Sequence, residues 1–165
     1  AIPDDANVEY VYDGLMDLGA GICQDTIDLV ISTDGNVPSQ PQDESVELKP
    51  APKIFKETCE IKWNSRAKTI YDFVRGLSPY PGTWTTLSPK AGDAAPSVLK
   101  VFRTAKTGNQ AVCGAGTLKA EHGRLYVAAA DEWLEIVELQ AAGKKRMAAR
   151  DFLNGFKDID DYKVG

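Results

Sequence analysis

Few residues in this chain could carry acid–base or nucleophilic chemistry. Its one histidine, His122, lies in "EHGR", a segment with the composition of a hairpin turn. A lone turn histidine reads as a solvated side chain, not a general base. Asp-Asp pairs at 4–5 and 160–161 lie near the ends of the sequence and read as solubilising charge. No GxSxG, HExxH, P-loop or GxGxxG pattern is present. The three cysteines, Cys23, Cys59 and Cys113, are 36 and 54 residues apart, odd in number and without a CxxC. That argues against a disulfide framework or a zinc site, and predicts three small buried hydrophobes in a reducing cytosol. No catalytic, cofactor-binding or metal residue is predicted.

The basic residues are better organised. Net charge is −5, but residues 1–50 hold one cation and eleven acids, whereas residues 53–150 hold sixteen cations and nine acids. Such asymmetry points to a polyanionic partner. Lys53, Lys56 and Lys62 form one group, Lys100, Arg103 and Lys106 recur every third residue, and Lys144, Lys145, Arg146 and Arg150 flank the last turn. A continuous strand would send Lys100, Arg103 and Lys106 to alternating faces, so a bend or strand end is expected near 104–106. If 147–156 is helical, the last cluster sits at its N-terminus, where the helix dipole disfavours cations. Locally unfavourable cations suggest phosphate contact. Trp63, Trp84 and Trp133 are expected in the core, as large fillers of a small barrel.

These groups need elements to position them. Val8, Val11, Tyr12, Leu15 and Leu18 recur at helical spacing, and residues 8–33 read as helix, broken or kinked at "GAG" 19–21 and ended by Asp34-Gly35-Asn36. Residues 36–52 carry four prolines in seventeen positions and predict an extended linker and a domain boundary. "CEIKW" at 59–63 reads as a short strand. Asn64 or Ser65 can cap a helix over 65–77, with Ala67, Ile70, Tyr71, Val74 and Leu77 on one face and "GLSPYPG" as its stop. "TWTTL", "SVLKVFRTA", "AGTLKAE", "RLYVAAA" and "WLEIVELQ" read as strands, with turns at "KTGN" and "EHG". "AARDFLNGF" reads as a closing helix and "KDIDDYKVG" as a polar tail.

The expected fold is mainly β with helices: a small OB-like, Greek-key β-barrel behind a helical segment and an extended linker. An immunoglobulin-like sandwich would need about seven strands, and only five are visible. No apolar run approaches the roughly 20 residues of a membrane span, and no signal peptide is recognisable. Ala1 in place of a starting methionine fits a processed chain or a piece of something longer.

Several segments are similar to the methionyl-tRNA formyltransferase family. "RGLSPYPGTWT", "LKVF" and "LEIVELQAAGKKRMAARDFLNG" resemble its C-terminal part. "APKIFKETCEIKWNSRAKTIYDFVRGLSPYPG" resembles the link into that part, and "YDGLMDLGAGICQDTIDLV" with "PSQPQDES" resembles the last helical region of its formyltransferase domain and the linker after it. The match runs from about Val8 to Gly155. "SPKAGDAAPS" at 88–97 departs from it, being longer than the expected turn.

The resemblance implies a division into residues 1–35, a helical remnant of the formyltransferase domain; 36–52, a linker; and 53–165, an OB-like tRNA-binding domain. It places the family's catalytic Asn, His and Asp and its formyl-folate loop upstream of Ala1, so none maps onto a residue here. The full enzyme would move a formyl group from 10-formyltetrahydrofolate to methionine on initiator tRNA in the cytoplasm. Lys53, Lys56, Lys144, Lys145, Arg146 and Arg150 become candidates for tRNA phosphate contact. The apolar stripe of 8–33, uncovered, would promote self-association. Two other readings compete: a stand-alone OB module for single-stranded nucleic acid, and the C-terminal part of a folate or sugar-nucleotide formyltransferase.

Overall fold

The computed structural model describes residues 1–92 and 95–165. Helix α1 spans Val8–Ser32 and is capped by Asn7, whose side-chain oxygen accepts a hydrogen bond from Tyr10 N at 3.0 Å. It runs through Gly19 and Gly21 as one helix, so the expected break at "GAG" does not occur. Two glycines near each other cost about 1 kcal/mol each without forbidding helical angles. The helix ends where expected: Gly35, at φ +80°, donates its N–H to Val30 O at 2.9 Å. No residue of α1 is buried. Its N-terminal approach is tied down instead: Ala6 is buried, Arg75 Nη1 donates to Ala6 O at 2.9 Å, and Lys106 Nζ lies 3.1 Å from Asp4 Oδ2.

Residues 36–55 form no helix or strand, as four prolines require. Lys56–Cys59 is one 3₁₀ turn, and "CEIKW" contributes only a single parallel bridge, Glu60 to Trp84, instead of a strand. Helix α2 (Ala67–Leu77) buries Ala67, Ile70 and Val74. Neither Asn64 nor Ser65 caps it. The acceptor for Ala67 N is Asp131 Oδ1, at 2.8 Å and 64 residues away in sequence.

Strands β1 (Thr83–Pro89), β2 (Ser97–Gln110), β3 (Leu118–Glu121), β4 (Arg124–Ala128) and β5 (Glu132–Ala141) match the five expected. Two short ones join them, β6 (Met147–Ala148) and β7 (Tyr162–Val164). The antiparallel order is β3-β4-β5-β2-β1-β7, with β6 beside β5. A bridge from Thr117 to Lys163 returns the last strand toward the first, so the sheet nearly closes into a six-strand barrel. The tail therefore is not a solvated end. Ile159 is fully buried and Val164 is 4% exposed, both inside the core. The core is filled by alternating inward residues such as Leu99, Val101, Leu125, Leu134, Ile136 and Leu139. Each large aliphatic side chain buried this way contributes about 2 kcal/mol. Helix α3 (Ala149–Gly155) covers β4 and β5 through Phe152 and Leu153.

Two turn expectations divide. "EHG" is the β3–β4 hairpin, with His122 and Gly123 both at positive φ between the paired Glu121 and Arg124. "KTGN" is not a turn: β2 runs through it, with a bulge between Lys106 and Gln110. A second irregularity lies between Val101 and Thr104, slightly before the bend expected at 104–106. It leaves Val101 and Phe102 both buried and Arg103 exposed. Across the long 88–97 segment, of which Asp93 and Ala94 lie outside the described residues, β1 and β2 keep simple register, Leu87 opposite Ser97 and Thr83 opposite Val101.

Candidate nucleic-acid interface

The lysine pair sits on a turn built by the end of β5. Gly143, at φ +71°, turns the chain, and Lys144 N donates to Ala141 O at 3.0 Å. The Gln140 side-chain amide donates to Lys144 O at 2.8 Å and locks the turn to the sheet. Lys144 and Lys145 are exposed, and among the described residues neither forms an ion pair. Because β6 intervenes, the pair precedes α3 by several residues. The unfavourable dipole applies only to Arg150, in the first turn of α3.

Arg146 and Arg150 point to other tasks. Arg146 Nε and Nη2 donate to Glu138 Oε1 and Oε2, each at 2.7 Å, and its guanidinium lies 4.4 Å from the Phe102 ring centre. The Arg146 hydrogen bonds hold the Glu138 carboxyl below its ordinary pKa, and Glu138 holds the guanidinium above its own. Arg150 lies beside Gly123 of the β3–β4 hairpin. Lys53 is exposed just after the linker, 5.6 Å from the Phe55 ring centre. Lys56 begins the 3₁₀ turn, with Trp84 Nε1 donating to its carbonyl at 2.8 Å and its own Nζ 6.0 Å from the Trp84 ring.

Register joins the two distant lysine groups. Trp84 on β1 stands opposite Lys100 on β2, and Lys100 stands opposite Gln140 on β5. Directly opposed residues share a face. Their neighbours Thr83, Thr85, Leu99 and Leu139 are buried, so this row faces outward. Lys56 attaches to its Trp84 end and Lys144 to its Gln140 end. Lys100 was visible in sequence only as one of three spaced cations. Cross-strand register, which alone places it between the other two groups, has no local signal. Its companions diverge: Lys106 binds Asp4, and Arg103 faces Glu138.

The other candidates resolve simply. The His122 side chain is 89% exposed, and among the described residues no cluster of three metal-ligating side chains occurs. Cys59 is buried, but Cys23 and Cys113 are exposed, correcting the expectation of three buried thiols. Cys23 sits on uncovered α1 and Cys113 in a loop. Trp63 is core, its Nε1 donating to Thr85 Oγ1 at 2.9 Å, whereas Trp84 and Trp133 are only half-buried, each beneath a lysine. Among the described residues, no helix is long and apolar enough to cross a membrane.

Residues 53–157 match the family described as formyl transferase, C-terminal domain. The chain is similar to the methionyl-tRNA formyltransferases of Parabacteroides distasonis, at 46% identity over 99% of this chain and 51% of the relative, and of Phocaeicola vulgatus, at 43% over the same shares. That of Chlorobium chlorochromatii is 34% identical over 94% of this chain and 47% of the relative. The chain thus spans about half the length of the relatives it matches. A crystallised variant of HypX from Aquifex aeolicus shares the fold, with a TM-score of 0.63 at 15% identity over 94% of this chain and 26% of that one. Barrel, preceding helix and matched sequence agree, and the chain belongs to the formyl transferase C-terminal domain family.

Proposed function

We propose that this chain is the tRNA-binding part of a methionyl-tRNA formyltransferase. In that reading residues 1–35 end the formyltransferase domain, 36–52 are a linker, and 53–165 are the tRNA-binding barrel. Formyl transfer from 10-formyltetrahydrofolate to initiator Met-tRNA belongs to the other half of the relatives' length, and this chain alone is inactive in it. The whole enzyme works in the cytoplasm. The observation that carries the reading is the exposed Lys144–Lys145 pair on a hydrogen-bonded turn, without an ion pair among the described residues, in a chain whose relatives bear that enzyme's name. The barrel offers affinity and orientation; phosphate contacts carry little sequence information. Lys53 and Lys56 add contacts where the barrel part begins, whereas Arg146 and Arg150 contribute less, one being committed to Glu138 and the other set beside Gly123.

The test is binding to initiator tRNA by fluorescence anisotropy across salt concentrations. Each phosphate neutralised contributes a log–log slope of about −0.7 to −0.9. Lys144→Glu with Lys145→Glu should weaken binding and flatten that slope. Unchanged affinity and slope would remove the pair from the interface. Absence of any salt-sensitive binding by the unmodified chain would favour a small-molecule formyltransferase instead.

A further inference from the structure

We infer that Lys100 is a tRNA phosphate contact, the centre of one track running from Lys56 across Trp84, Lys100 and Gln140 to Lys144. The inference rests on the tRNA reading above and adds the residue that makes its two lysine groups one surface. Lys56 and Lys144 are 88 residues apart in sequence. Three hydrogen-bonded strands separate them in space, and neighbouring strands lie about 4.8 Å apart. Lys100 occupies the middle strand of the three, opposite Trp84 on one side and Gln140 on the other.

Three observations converge. Lys100 is exposed and, among the described residues, forms no ion pair. Its direct cross-strand partners are an indole and an amide, neither of which can pair with its charge. Glu60, which bridges to Trp84, already holds Lys62 at 2.9 Å. Finally, both ends of the track are fixed by side-chain hydrogen bonds at 2.8 Å: Trp84 Nε1 to Lys56 O, and Gln140 Nε2 to Lys144 O. Trp84 and Gln140 are thus positioning residues. They hold the backbone of the flexible-stemmed lysines, so less ordering entropy is lost when a polyanion binds. The adjacent row on the same sheet is neutralised differently, Arg103 facing a Glu138 that Arg146 already occupies. Among the described residues, positive charge without an ion pair therefore follows the Lys100 row.

The experiment uses the whole chain, fluorescein-labelled initiator tRNA, and duplex DNA of equal length as competitor. Lys100→Gln should lower affinity about tenfold, the scale of one charge-assisted contact, and make the salt slope shallower by about one. Lys157→Glu, an exposed lysine away from the track, is the charge control and should have a smaller effect. Thermal melting checks that Lys100→Gln folds normally. If Lys144→Glu/Lys145→Glu loses affinity while Lys100→Gln does not, the track is wrong and the tRNA reading survives. If the unmodified chain shows no salt-sensitive binding, the reading fails and the track with it. Equal competition by DNA overturns RNA as the ligand.

Discussion

Arg146 is forked onto Glu138 through two 2.7 Å hydrogen bonds, while the lysines immediately before it make no ion pair among the described residues. Three consecutive cations thus divide into two for solvent and one for the fold. The Arg146 hydrogen bonds depress the folded-state pKa of Glu138. A depressed carboxylate contributes stability above its unfolded pKa and loses it as pH falls through the lower folded value.

Glu138→Gln should therefore cost at most about 1 kcal/mol at neutral pH, discounted because the pair is partly exposed. The difference from the unmodified chain should shrink as pH falls from the ordinary carboxylate value through the lower folded one. Denaturant unfolding at about pH 7 and about pH 3 reads this directly. The same variant releases Arg146, so tRNA affinity should rise at neutral pH. A fall would mean that the fork positions the lysine turn.

Asp131 is the acceptor at the start of α2, taking Ala67 N at 2.8 Å and Glu132 N at 2.9 Å. Asp131→Ala should destabilise the chain by about 1–2 kcal/mol, the cost of a lost cap. Asp131→Asn keeps the oxygen and should recover most of it. Thermal melts of the pair check both, and equal loss in the two would assign the effect to charge.

Local patterns were legible where the local signal and the tertiary fold agreed. Alternation in "TWTTL" and "WLEIVELQ" marks β1 and β5, and the helical face of Ile70 and Val74 marks α2. What sequence missed depends on partners distant along the chain. Ser65 is a better local cap than a residue 64 positions away, yet Asp131 reaches Ala67. "KDIDDYKVG" is polar on average, but Ile159 and Val164 are spaced to enter the core when the barrel closes. The lysine pair was visible as a run of charge; the commitment of Arg146 and the place of Lys100 required the register of β2 against β5.

Closure of the barrel depends on Gly116. It sits at φ +82°, and an added Cβ would collide with Val164 O. Its carbonyl accepts Val164 N at 2.9 Å, so the collision falls on the contact that joins β7 to the approach of β3. Gly116→Ala should cost about 2 kcal/mol or more, combining left-handed backbone strain with displacement of β7. Amide exchange should quicken first at Tyr162–Val164. Uniform loss of protection across the sheet would instead mean that β7 is not a separable closure.

Helix α1 should respond in the opposite sense. Gly19 and Gly21 lie in its interior with open space where a Cβ would go. Alanine at both should stabilise the helix by about 1 kcal/mol per site, seen as higher ellipticity at 222 nm. Leu15, Leu18 and Ile22 are each more than 60% exposed and share one face. Most helical stability in proteins comes from packing an apolar face, and no residue of α1 is buried, so apolar contact between copies should raise its helicity with concentration. Sedimentation equilibrium should then show association that Leu15→Asp with Ile22→Asp abolishes. The barrel should melt unchanged in that variant, because no residue of α1 is buried. A monomer at high concentration with full helix content would mean that α1 stands on its own propensity and its contacts through Ala6 and Asp4.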